Sequence, residues 1–156
     1  MQTTEILAPL KSQIGQEVHV GPWLTVTQDR INQFAEATED KQWIHTDPKR
    51  AQKESPYGST IAHGFFTLSL LPFLMGTVAQ DKPDVPGVQW IVNYGLNKVR
   101  FPNPVKAGSK IRARTELQEV EEVAGGARVF KKVTVEVEGE SKPACVAETI
   151  TQYFFK

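Results

Sequence analysis

An acid and a histidine five positions apart, Asp40 and His45, stand in a polar, proline-punctuated stretch, T-E-D-K-Q-W-I-H-T-D-P-K-R-A-Q-K-E-S-P-Y-G-S-T-I-A-H-G (38–64). An unperturbed aspartate, with a pKa of about 3.9, is a poor base at neutral pH, whereas a histidine at about 6.5 is well matched. The stretch runs directly into the most apolar segment of the chain, Ile61 to Val78. A carboxylate and an imidazole beside the start of a buried helix, where backbone donors are free, make a candidate acid–base site.

Each of these residues also has a plainer role. Asp40 follows a helix end, where an acid is commonly a solvated turn residue. A loop histidine such as His45 often does no more than satisfy a nearby carbonyl. His63 is expected to pack or to bond to the loop, and Asp47 to form an Asx turn before Pro48. A metal set of His45, Asp47 and His63 lacks any neighbouring cysteine, so no metal is expected. Cys145 reads as a core residue within a strand.

The elements that must hold this stretch follow from spacing. Residues 3–13 form a short amphipathic helix, with Ile6, Leu7 and Leu10 on one side, and 23–27 form a short strand. Thr27 caps a helix over about 28–37 that buries Ile31, Phe34 and Ala35. Residues 38–58 read as loop. The helix of 61–76 is apolar nearly all round, so it must be enclosed on several sides, and Pro72 kinks it or ends its regular part. Residues 79–87 read as a mobile loop.

Strands follow. Val88, Trp90, Val92, Tyr94 and Leu96 share one face, and the apolar parity then flips to Val99 and Phe101, which calls for a bulge at Gly95. Ile111, Ala113, Thr115 and Leu117 alternate in the next strand. Ala124-Gly125-Gly126 turns a hairpin into a strand carrying Val129, Val133, Val135 and Val137, and the last strand covers 144–155. One buried helix ahead of long antiparallel strands defines an α+β class, with a sheet wrapped around the helix. Edge-to-edge pairing of two sheets in a homodimer would bury the helix surface that one sheet leaves open.

At 156 residues the chain suits one domain, 1–156, in which 1–15 is an N-terminal extension or short helix. Eighteen basic residues balance eighteen acidic ones, which argues against a nucleic-acid partner. A single cysteine excludes an intramolecular disulfide and favours a cytoplasmic home. The N-terminus lacks the features of a signal peptide. The long apolar run carries His63, two glycines and Pro72, so it is read as buried in protein, with no membrane partner.

The combination of D-K-Q-W-I-H-T-D (40–47), Y-G (57–58) and I-A-H-G (61–64) resembles the MaoC-like (R)-specific enoyl-CoA hydratases of the hotdog-fold superfamily. Gln42 and Trp43 replace the family's usual Asn-Pro. That departure, with N-Y-G-L-N-K-V-R-F-P (93–102) and K-P-A-C-V-A-E (142–148), is most similar to the NodN-like subgroup. The resemblance implies a hotdog fold, a homodimer and a role in fatty acid metabolism. The implied reaction hydrates trans-2-enoyl-CoA thioesters to (R)-3-hydroxyacyl-CoA with no cofactor beyond the CoA of the substrate. It further implies that Asp40 and His45 hold and activate a water while the N–H of Gly64 receives the thioester oxygen. That N–H is free only if the helix is capped at Ile61 or later. Lys98, Arg100 and Lys106 could meet CoA phosphates but are left unassigned. The rival readings are a hotdog acyl-CoA thioesterase and a non-catalytic acyl-thioester-binding subunit.

Overall fold

The computed structural model describes residues 3–78 and 85–155. Its frame is one antiparallel sheet in the order β1 (Glu17–Val20), β4 (Lys110–Val123), β5 (Gly126–Val137), β6 (Cys145–Phe155), β3 (Val88–Arg100), with the short β2 (Leu24–Thr25) also on β4. The alternation of small and branched residues sets one face inward. Ile111, Ala113, Thr115 and Leu117 of β4 are buried, as are Val129, Val133, Val135 and Val137 of β5. The hairpin between them turns on Ala124 and Gly125, in register Val123 to Gly126. Gly126 is required by close approach, since a Cβ there would overlap the carbonyl of Tyr153. The long β3 shifts register between Asn93 and Gly95, where the parity flip calls for a bulge, and again between Asn97 and Arg100.

Among the described residues, six helices accompany the sheet: α1 (Thr3–Lys11), α2 (Gln28–Thr38), α3 (Trp43–Thr46), α4 (Pro48–Glu54), α5 (Gly64–Ser69) and α6 (Leu71–Leu74). Phe66, Leu71, Leu74 and Met75 pack on Ile111, Ala113, Val133, Val135 and Ala147, so the sheet does wrap the apolar helical segment. A second cluster lies under α1, where Leu7 meets Leu117, Val129 and Tyr153. Thr27 caps α2 as its position demands, its hydroxyl accepting from Arg30 N–H at 3.2 Å.

Several expectations need correction. The apolar helix does not start at 61. Ile61 bridges Lys106, Ala62 N–H donates to the Val105 carbonyl at 2.7 Å, and Ala107 N–H donates to that of Thr60 at 3.0 Å. Backbone committed to those pairings cannot enter a helical ladder before His63. The segment also breaks at Leu70, because Pro72 has no N–H to continue it. Nor is it enclosed all round: Phe65 is 69% and Phe73 54% exposed. The polar stretch 38–58 is not a loop but holds α3 and α4, with Asp47 capping α4 through a bond from Arg50 N–H at 3.0 Å. β1 escapes the sequence reading, and the strand expected over 23–27 shrinks to Leu24–Thr25. Cys145 opens β6 instead of sitting in its middle, although it is fully buried. Of the expected mobile loop, 79–84 lie outside the described residues, and Val85 is buried.

Candidate active site

Helix α2 ends in a turn that aims the next residues back at the protein. Glu39 takes the left-handed conformation, φ 65°, and Asp40 follows it, half-buried. Its carboxylate oxygen Oδ1 accepts from the side-chain amide of Gln42 at 3.0 Å. That bond holds the carboxyl below the usual aspartate range, against a smaller opposing effect of burial. Asp40 therefore stays a carboxylate at neutral pH.

His45 lies on α3 and is only 6% exposed, so it is a buried residue on a helical turn instead of a loop residue open to water. Its Nδ1 lies 2.7 Å from the carbonyl oxygen of Ile61. A carbonyl can only accept, so Nδ1 carries the proton and Nε2 is left with its lone pair. Burial pushes the His45 pKa below its ordinary value. The Ile61 bond and the charge of Asp40 oppose this without reversing it. Gln28, the first residue of α2, locks the backbone behind this ring. Its amide donates to the His45 carbonyl at 2.7 Å and accepts from the hydroxyl of Thr60.

His63 caps α5 and places its ring between Phe34 and His45. The two imidazoles stack with centroids 3.8 Å apart and planes 25° from parallel. Gly64 is the first residue of α5, so it has no carbonyl one turn earlier in the helix to bond to. Asp40, His45, His63, Gly64, Phe65 and Phe101 border one cleft of about 490 Å³.

Thus all three sequence candidates, Asp40, His45 and Gly64, meet at one cavity. One oxygen or nitrogen from each of Asp40, His45 and His63 lies within 4.8 Å of the others. A single water making two hydrogen bonds of about 2.8 Å at a tetrahedral angle spans roughly 4.6 Å, so one water fits between such a pair. A metal ion fits less well. It would have to lie near the plane of each ligating ring, and two stacked rings do not point their lone pairs at a common centre. Asp47 takes no part, since its carboxylate is committed to α4. Sequence reasoning missed Gln28 and Gln42. Only the place of Gln42, two residues from the acid, hinted at its contact.

This architecture and cleft define a class. Residues 9–140 match the MaoC like domain, and the chain belongs to the MaoC-like dehydratase family, with its hotdog fold. It is 50% identical over 154 residues to 3-hydroxyacyl-thioester dehydratase Z of Mycobacterium tuberculosis, covering 98% of this chain and 99% of the relative. It is 46% identical over 146 residues to Nodulation protein N of Rhizobium leguminosarum, covering 93% and 89% respectively. The X-ray structure of the monoamine oxidase regulatory protein from Archaeoglobus superposes with a TM-score of 0.75 at 28% identity, covering 92% of each chain. The chain is accordingly a hydro-lyase, acting as a hydratase or dehydratase. Among the described residues, no helix is long and apolar enough to cross a membrane.

Proposed function

We propose that this hydro-lyase interconverts trans-2-enoyl-CoA and (R)-3-hydroxyacyl-CoA, with Asp40 and His45 activating water and the Gly64 N–H stabilising the enolate. The observation that carries the reading is that Asp40, His45 and Gly64 border one cleft, with a polar atom of Asp40 and one of His45 within 4.8 Å of each other. His45 Nε2 takes a proton from the water, whose other hydrogen is held by Asp40. The oxygen adds to C3, and the C2–C3 pair moves into the thioester carbonyl as an enolate oxygen facing Gly64. The imidazolium of His45 then gives the proton it took to C2, which restores the neutral base and completes the addition. The Nδ1–H of His45, which leaves Nε2 its lone pair, and the carboxylate held by Gln42 support His45 as the base and Asp40 as the group that orients the water. Dehydration runs the same steps backwards, and the chemistry calls for no cofactor. That the close relative from Mycobacterium tuberculosis is named a 3-hydroxyacyl-thioester dehydratase supports a thioester substrate.

The same proposal includes a homodimer joined through β3. Among the described residues this strand has β6 on one side and no strand on the other, and its Trp90, Val92, Tyr94 and Leu96 are 45–56% exposed. A long apolar edge of this kind is a template for pairing with a second copy. A lone buried cysteine and a CoA thioester substrate suit the cytoplasm and fatty acid metabolism.

The test is to incubate the protein with crotonyl-CoA and follow loss of the conjugated-thioester absorbance and, separately, release of thiol. Hydration without thiol is expected. Asp40→Asn and His45→Gln should each lower turnover by about 10²–10⁴-fold with the fold intact. Thiol release would point to a thioesterase, and binding without turnover to a non-catalytic subunit. Near-full activity in either variant would remove the mechanism.

A further inference from the structure

His63 is a costly residue to keep where it is. It is only 3% exposed. Its Nε2 lies 2.8 Å from the main-chain oxygen of Asp40, so Nε2–H donates and the lone pair falls on Nδ1. That Nδ1 is buried with no hydrogen-bond partner. A phenyl ring could fill the same slot, between Phe34 at 4.9 Å and His45 at 3.8 Å, without the bare nitrogen, although the Asp40 carbonyl would lose its donor. Removing the bare Nδ1 favours such a ring, whereas the loss of the Asp40 carbonyl's donor opposes it, so the two effects on stability partly cancel. Packing alone therefore does not account for an imidazole here.

What a phenyl ring cannot supply is the bond to Asp40. The acid follows a left-handed Glu39, a conformation unfavourable for a side-chain-bearing residue. Among the described residues, the other hydrogen bonds and ion pairs that hold Asp40, Lys41 and Gln42 come from residues 36–46, all from the end of α2 to α3. The Nε2–H of His63 is what ties this turn to the start of α5, where Gly64 lies. The other face of the same ring fixes the plane of His45.

We propose that His63 is the positioning residue of the site, clamping Asp40 by its main chain and His45 by its ring face so that both address one water. This rests on the hydratase reading above, with His63 acting through Asp40 and His45. Geometry of this kind matters because a misplacement of about 1 Å at a reacting centre can lower rates on the order of 10²-fold.

Two variants separate positioning from packing. His63→Phe keeps the ring and loses the donor. His63→Gln loses the ring but carries an amide N–H at the reach of Nε2. Positioning predicts that His63→Phe melts within about 5 °C of the wild-type temperature yet loses about 10–10²-fold in kcat on crotonyl-CoA, with KM changed less than about threefold. His63→Gln should melt lower and still turn over faster than His63→Phe. A purely structural role predicts the reverse order, with the better-packed variant the more active. The second readout needs no turnover. In wild type, long-range ¹H–¹⁵N spectra should show His63 as the Nε2–H tautomer, and the ¹³C shift of the Asp40 carbonyl should move in His63→Phe but much less in His63→Gln. If wild type fails to hydrate crotonyl-CoA, the substrate reading falls while the spectra still decide the clamp. The inference is overturned by His63→Phe with wild-type kcat, by His63→Gln slower than His63→Phe, or by an unmoved Asp40 carbonyl.

Discussion

Gly64→Ala puts the closest contact of the site under load. A Cβ at this position would stand 2.9 Å from Cδ2, 3.0 Å from Cγ and 3.1 Å from Cε2 of Phe101. Carbon atoms in ordinary contact stay about 3.5–4.0 Å apart, so the Phe101 ring must retreat by roughly half an ångström or more. The Phe65 ring sits edge-on to it at 6.2 Å and limits the retreat, although Phe101 itself is partly open to solvent. Overpacking of this kind costs about 1–3 kcal/mol. Alanine recovers some of that through its backbone preference, at most about 0.5–1 kcal/mol in a helix interior and less in a first turn. The net is a loss of about 1 kcal/mol, or about 2–4 °C in Tm for a chain of this size. Turnover should fall more than stability does. The alanine amide still has its N–H, but displacing it forfeits part of the roughly 3–4 kcal/mol that a well-placed oxyanion donor supplies. We expect kcat on crotonyl-CoA to fall about 10–10²-fold. The control is a double-mutant cycle with Phe101→Leu, which removes the ring face. Gly64→Ala should lose about 1 kcal/mol less stability in that background. Gly64→Ala with wild-type Tm and kcat, or strict additivity with Phe101→Leu, would refute the argument that Gly64 is held to a single small side chain.

Three further expectations come from separate parts of the molecule. The folded pKa of His45 lies below its ordinary value of about 6.5, so the unfolded chain takes up that proton first. The stability this group contributes is therefore present above about 6.5 and declines as pH falls from there towards the folded value. Thermal melts between pH 8 and 5 should show His45→Gln with a shallower acid slope than wild type. The acid limb of kcat/KM should have its midpoint below 6.5, and a midpoint above it would contradict a buried neutral base. Burial pushes the Cys145 thiol up to about 11, so a thiol reagent at pH 8 should label nothing in the native protein and one group after denaturation. Rapid native labelling would show that β6 opens at its start. Finally, Val92→Lys combined with Leu96→Lys should give a monomer by sedimentation, because it places two charges on the proposed pairing edge of β3. A dimer unaffected by both would put the contact elsewhere.

What the sequence displayed and what it hid divide along a physical line. Features decided within a few residues were legible. These include the Thr27 cap, the two-residue turn at Ala124-Gly125, the alternation along β4 and β5, and the register shift that Gly95 permits. Features decided by a distant partner were not. The short β1 is a strand because β4 lies beside it, with His19 opposite Thr115. The late start of the apolar helix is set by the pairing of Thr60–Ala62 with Val105–Ala107, which no local pattern records. The candidate site follows the same division. Asp40, His45 and Gly64 could be named from their types and spacing, but not the groups that orient them. Gln28 reaches the His45 carbonyl across 17 positions, and His63 reaches the Asp40 carbonyl across 23. The distant pairing also bears on the chemistry. Had the helix begun at Ser59 or Thr60, as its apolar run allows, the Gly64 N–H would have been bound within the ladder. Extended pairing of 60–62 delays the helix until His63 is the cap, leaving that amide free and setting the His63 ring against both Asp40 and His45. One long-range constraint thus accounts for both the candidate oxyanion donor and the candidate clamp. Weakening it, for instance with Ala107→Pro, which removes the N–H donated to the Thr60 carbonyl, should disturb both together.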